Sequence, residues 1–108
     1  MTIGNKFAEA LIAYDTGSDT ETFRSMLHDD FRWESWTKIK FGLQIETKKT
    51  TLELFSDGPS SDEVKILLAT NAILIIGFRG EAYGSILFTY EFKDGVAIKA
   101  FSARGETP

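Results

Sequence analysis

Few side chains in this sequence have chemistry to offer. Nine Phe, three Tyr and two Trp stand beside one His and no Cys. Without cysteine there is no disulfide, no thiol nucleophile and no thiolate metal site. Acid–base work then needs a carboxyl, an imidazole or a phenol held in a pocket with a pKa near the working pH. His28 is a thin basis for a nucleophile-and-base arrangement, and its place near the end of the second helix is explained by the helix dipole. Asp30 and Glu34 flank the first strand. Alternation sets Glu34 beside Arg32 and away from Phe31, Trp33 and Ser35, so it is expected outside. Asp29 and Asp30 point to different sides, and no metal site is expected. Tyr14 and Tyr90 remain as candidate catalytic groups, because a buried phenol must find a partner for its hydroxyl and can polarise a ligand oxygen. A core tyrosine with its hydroxyl at the rim is the competing reading of both.

A pocket for an apolar ligand needs walls and a few hydrogen-bonding groups. Trp33, Phe88 and Ile98 are candidate walls, and Ser35 and Ser102 join Tyr14 and Tyr90 as polar groups. A purely structural core explains the same residues. Gly77, Gly80 and Gly84 fit a strand and its turn rather than a phosphate cradle. Arg79, Glu81 and Tyr83 read as a solvated hairpin tip. No cofactor is expected.

These residues must be positioned by elements that periodicity reveals. Ile3, Phe7, Ala10, Leu11 and Tyr14 recur at helical spacing up to the break at Thr16, Gly17 and Ser18. Ser18 and Glu21 form a capping-box signature for a second, shorter helix with Phe23, Met26 and Leu27 on its buried face, ending near His28, Asp29 and Asp30. Residues 31–36 alternate ring with polar group, as a strand does. Residues 37–47 show no clear period and read as a loop with a little extended structure around 41–45. Thr50 with Glu53 offers another capping box, and Leu52 and Phe55 give a third helix that Asp57, Gly58 and Pro59 stop. The rest is a β meander: 63–69, a turn at Thr70 and Asn71, 72–79, a turn through Gly80, 83–93, the hairpin signal Asp94-Gly95, and 96–104. The tail from Gly105 is expected to fray.

The meander strands are apolar on both sides. Ile73 and Ile75 oppose Leu74, Ile76 and Phe78, and Ile86, Phe88, Tyr90 and Phe92 oppose Leu87 and Thr89. An antiparallel sheet in a small monomer leaves one face wet, and three helices cover only one side. Ile86, Phe88, Tyr90, Ile98 and Ala100 are therefore expected to face the helices, and Leu87, Lys99 and Phe101 a second subunit. The length of 108 residues fits one domain. The net charge of −4 disfavours nucleic acid, since the twelve Lys and Arg form no basic stripe. Lys38, Lys40, Lys48 and Lys49 come closest and read as a solvated cluster. No apolar run is long enough to span a membrane, and Met1 to Asp15 lack the pattern of a signal peptide, so a cytoplasmic address is expected.

Two helices, a strand opened by Asp29-Asp30-Phe31-Arg32-Trp33, a third helix and a four-stranded meander closed by Asp94-Gly95-Val96-Ala97-Ile98-Lys99-Ala100-Phe101 resemble the nuclear transport factor 2-like superfamily, particularly its SnoaL-like and ketosteroid-isomerase-like members. The likeness covers nearly the whole chain. It implies an α+β fold, a cone-shaped α+β barrel with three N-terminal helices packed on a curved, mostly antiparallel sheet, with an apolar cavity and dimers joined through the outer sheet face. The ketosteroid isomerase oxyanion-hole tyrosine falls on Ala10, its general-base aspartate on Ser35 and its proton-donating acid on Phe88, so that machinery is not expected here. The expectation is a homodimeric, small-molecule-binding SnoaL-like protein for a hydrophobic ligand, extending to a cofactor-independent isomerase, dehydratase or cyclase. The alternatives are a non-catalytic dimeric interaction module and an unrelated α+β fold.

Overall fold

The computed structural model describes residues 1–37, 42–57, 61–81 and 84–105. The stripe from Ile3 to Tyr14 forms α1 (Ile3–Thr16). It opens on Thr2, whose hydroxyl accepts from Asn5 N at 3.1 Å, and closes on Gly17, held at φ 77°, where glycine is favoured. Ser18 belongs to this ending and not to the next start, because its amide and hydroxyl both donate to the Ala13 carbonyl. The cap of α2 (Glu21–Ser25) is instead Asp19, which accepts from Glu21 N at 3.0 Å and Thr22 N at 3.2 Å. The side-chain and backbone bonds from Thr22 hold its carboxyl below the usual carboxylate pKa.

Helix α2 stops at Ser25, earlier than the sequence suggests, because the last strand captures the chain. Ala97 N donates to Met26 O at 2.8 Å, and Leu27 pairs with Ala97. His28 consequently lies on β1 (Leu27–Thr37), exposed, with its Nδ1 accepting from Asp30 N at 3.0 Å; it caps no helix. Much of the expected 37–47 loop is a strand, β2 (Gly42–Thr47), antiparallel to β1. The expected extension at Phe41 lies outside the described residues, as do Lys38, Lys40, the stop at Gly58 and Pro59, Tyr83, and the tail beyond Gly105. Helix α3 (Lys48–Asp57) starts on a cap three residues before the expected one. Thr47 Oγ1 accepts from Thr50 N at 3.3 Å, and Thr50 Oγ1 from Thr47 N at 2.8 Å. Two helices, not three, therefore precede the sheet, and α3 interrupts it.

The meander forms as its turn chemistry dictates: β3 (Glu63–Ala69), β4 (Ile73–Gly80), β5 (Gly84–Lys93) and β6 (Val96–Arg104). Thr70 Oγ1 accepts from Ala72 N and Ile73 N, closing the first turn. Asp94 at φ 53° and Gly95 at φ 82° supply the two left-handed residues of a hairpin turn whose twist matches its strands. The six strands lie in the order β2-β1-β6-β5-β4-β3, antiparallel except for β1 beside β6.

One face of this α+β sheet is covered by the helices. Phe7, Leu11, Phe23, Leu74, Ile76 and Tyr90 form the centre of the core there, each no more than 2% exposed. Helix α1 comes so close to the β3–β4 turn that a Cβ on Gly4 would stand 2.8 Å from Thr70 O. A bulge in β6 corrects the expected alternation. Glu91 pairs with Lys99 but Phe92 with Ala97, so Ala97 is fully buried and Ile98 is left half-buried beside the core row. The other face is open. Ile45, Glu34, Phe101, Thr89, Ile75 and Leu68 follow one another in register across all six strands. Ile45, Leu68, Phe101 and the neighbouring Leu87 are each more than two fifths exposed. Glu34 lies on this face, as alternation predicts, paired with Arg32 at 2.9 Å. Among the described residues no helix is long and apolar enough to cross a membrane.

Candidate functional site

On the covered face two register rows carry most of the residues with chemistry. One runs Glu46, Trp33, Ala100, Tyr90, Leu74; the next runs Gln44, Ser35, Ser102, Phe88, Ile76. Cross-strand partners share a face, so β2, β1 and β6 make a polar half of this surface and β5 and β4 an apolar half. The side chains of Trp33, Ser35, Gln44 and Glu46 are half-buried, whereas Ser102, Phe88 and Tyr90 are buried.

Aromatic rings close around this surface. Phe7, Phe23, Phe55, Phe88 and Tyr90 form a circuit with successive ring centroids 5.4, 5.9, 5.9, 5.6 and 4.6 Å apart, the last step returning to Phe7. Trp33 braces it, 5.4 Å from Phe55 and 5.3 Å from Phe88. Its indole Nε1 donates to Ser102 Oγ at 2.7 Å, which fixes the indole and explains why a serine is tolerated 3% exposed.

The two tyrosines have different fates. Tyr14 packs its ring 5.0 Å from Phe23 and donates to the Leu52 carbonyl at 2.9 Å, with Ser56 Oγ a further 2.6 Å partner. Its hydroxyl ties α1 to α3. Tyr90 is 1% exposed and its hydroxyl has no hydrogen-bond partner, a condition shared among the described residues by Thr51 Oγ1. Burial pushes the Tyr90 phenol pKa well above its ordinary value.

The structure thus brings Trp33, Ser35, Phe88, Tyr90 and Ser102 onto one surface. Tyr14 stands behind Phe23 with its hydroxyl engaged, and the β6 bulge separates Ile98 from the others. Gln44 and Glu46 are the members that the sequence reading missed. Gln44 Nε2 donates to Glu46 Oε1 at 2.7 Å. The signal was present: residues 43–46 alternate apolar with polar, but the polar members face the helices. Among the described residues no three metal-ligating side chains come together. A shallow groove of about 340 Å³ lies elsewhere, beside Lys65, Gly77, Arg79, Ser85 and Leu87. These residues belong largely to the open face, so the groove is part of the exposed apolar surface and not of the aromatic circuit.

Neither a protein-family model nor a curated protein matches the chain in sequence. Solved structures do match it in shape. An NTF2-like protein from Anabaena variabilis superposes with a TM-score of 0.67 at 15% identity, covering 97% of this chain and 91% of its own. A SnoaL-like protein of unknown function from Burkholderia thailandensis gives 0.69 at 17%, covering 96% and 95%. The chain has the NTF2-like fold. A ketosteroid-isomerase-like protein from Kribbella flavida, at 0.65 and 16%, covers 94% of this chain and 77% of its own. At these identities the likeness carries the NTF2-like architecture and no residue roles, so function rests on the site itself.

Proposed function

We propose that this is a single SnoaL-like domain over residues 1–108, working in the cytoplasm as a homodimer that binds a hydrophobic small molecule between its helices and a cone-shaped sheet. The observation that carries this reading is the Tyr90 hydroxyl, buried without a partner beside an aromatic circuit. A buried hydroxyl left unpaired costs about 1–3 kcal/mol. A ligand oxygen on it would recover that cost. Trp33, Phe88 and Tyr90 are the walls in this reading, Ser35 and Ser102 the polar contacts, and Tyr14 and Ile98 the outlying members. The reading extends to cofactor-free isomerisation, dehydration or cyclisation, in which Tyr90 donates to a ligand oxygen and so polarises it.

A second reading, a non-catalytic interaction module, draws on the open face, where Ile45, Leu68, Leu87 and Phe101 stand exposed. Thermal-shift titration with monocyclic and bicyclic ketones and alcohols separates the two. Ligand at a hundred times its Kd should stabilise the protein by about 2.7 kcal/mol, and Ser35→Phe, which places a ring on the same surface, should abolish the shift. A flat response to every compound at millimolar concentration sinks the binding reading and leaves the interaction module.

A further inference from the structure

Two carboxylates on the first two strands at one edge of the sheet are treated differently by their surroundings. Glu34 on the open face has the Arg32 guanidinium at 2.9 Å. Glu46, one strand away on the covered face, has the neutral Gln44 amide as its hydrogen-bond donor. The basic side chain nearest in sequence, Lys48, is committed elsewhere, to Leu27 O at 3.0 Å and Asp29 Oδ1 at 3.6 Å. Among the described residues, no basic side chain pairs with Glu46. A half-buried carboxylate lacking a counter-charge is unfavourable, and here it stands directly across from the half-buried Trp33 indole.

We propose that the ligand of this face is an apolar ammonium ion whose nitrogen is held between Glu46 and the Trp33 ring. This deepens the small-molecule reading above and rests on it. Gln44 occupies Glu46 Oε1 and turns the carboxylate, leaving its remaining lone pairs to accept N–H bonds. Such charge-assisted bonds are roughly twice as strong as neutral ones, and the indole face adds a cation–π attraction. The apolar body then lies against the half-buried Trp33 side chain, at the accessible end of the row that joins Glu46 through the buried Ala100 to the unpartnered Tyr90 hydroxyl. That row spans three strand spacings of about 4.8 Å, roughly 14 Å between Cα atoms. An anionic ligand would meet Glu46 with like charge.

Isothermal titration of the full chain with 2-phenylethylammonium, 2-phenylethanol and 3-phenylpropanoate tests this at matched size. The ammonium should bind about tenfold more tightly than the alcohol, and the carboxylate most weakly. Glu46→Gln should remove the ammonium's advantage while leaving the alcohol unchanged. Glu34→Gln, on the opposite face, should alter neither. An ammonium no tighter than the alcohol, or an advantage that survives Glu46→Gln, overturns the inference while leaving the small-molecule reading standing. Failure of all three probes to bind overturns both.

Discussion

Tyr90 spends a hydroxyl in the interior that none of its neighbours uses, and that has consequences in the unliganded protein. Replacing it with phenylalanine removes an unsatisfied polar atom and keeps the ring stacked on Phe88. Tyr90→Phe should therefore raise stability by roughly 1 kcal/mol, or about 4–8 °C in Tm. A loss of stability on calorimetry would mean that the hydroxyl has a partner after all. The pH dependence follows from the same burial. The unfolded phenol releases its proton near 10.0, whereas the folded one holds it to higher pH. Above pH 10 the unfolded chain thus binds fewer protons, and stability falls as pH rises. Denaturant titrations from pH 9 to 11 should show a steeper decline in the wild type than in Tyr90→Phe. Alternation in the sequence was enough to put Tyr90, Phe88, Trp33 and Ser102 on one face. It failed at Ile98, since nothing in Val96-Ala97-Ile98-Lys99 marks a bulge. It also missed Glu46, because a strand whose polar side faces the helices looks like a loop.

Among the elements, α1 and the β3–β4 turn make the tightest approach noted. Gly4 N donates to Thr70 O at 2.9 Å, and a methyl group there would press on the Thr70 and Ala69 backbone at 2.8–3.1 Å. Because backbone cannot yield as a side-chain end does, Gly4→Ala should cost about 1–3 kcal/mol despite alanine's higher helix propensity. Urea denaturation gives the sign directly, and a neutral or stabilising result would show that the helix can slide. This glycine was invisible in the sequence, where a Gly in the first turn of a helix reads only as a weak helix former. Helix and strand types were otherwise legible from their periods and turns. Their ends were not where a distant strand decides them: Leu27 fits the apolar face of α2, yet pairing with Ala97 claims it for β1.

At the scale of the whole molecule the sheet has two apolar faces and enough helix for one. The exposed row through Ile45, Phe101 and Leu68 is continuous across the strands, and such patches on a small protein mark contact surfaces. Phe101→Glu would place a second carboxylate beside Glu34, its register partner on β1. Sedimentation should show the wild type as a dimer and the variant as a monomer that unfolds cooperatively. A wild-type monomer, or a dimer indifferent to the change, removes this face as the interface. Two-sided apolarity was readable in the strand sequences alone, but the position of β2 at the edge and of β1 between β2 and β6 was not. Only pairing between distant segments determines that order.

The parallel contact of β1 with β6 joins the earliest made of these six strands to the latest made. Until residues 96–104 emerge, the α1–β2 portion has no β6 to join it to the meander, and the apolar sides of β1 and β5 face water. Closing so long a loop is slow compared with forming local hairpins, and an unfinished sheet with open edges is the species that aggregates. Synthesis order alone therefore leaves this sheet most vulnerable in the interval before β6 is available to pair.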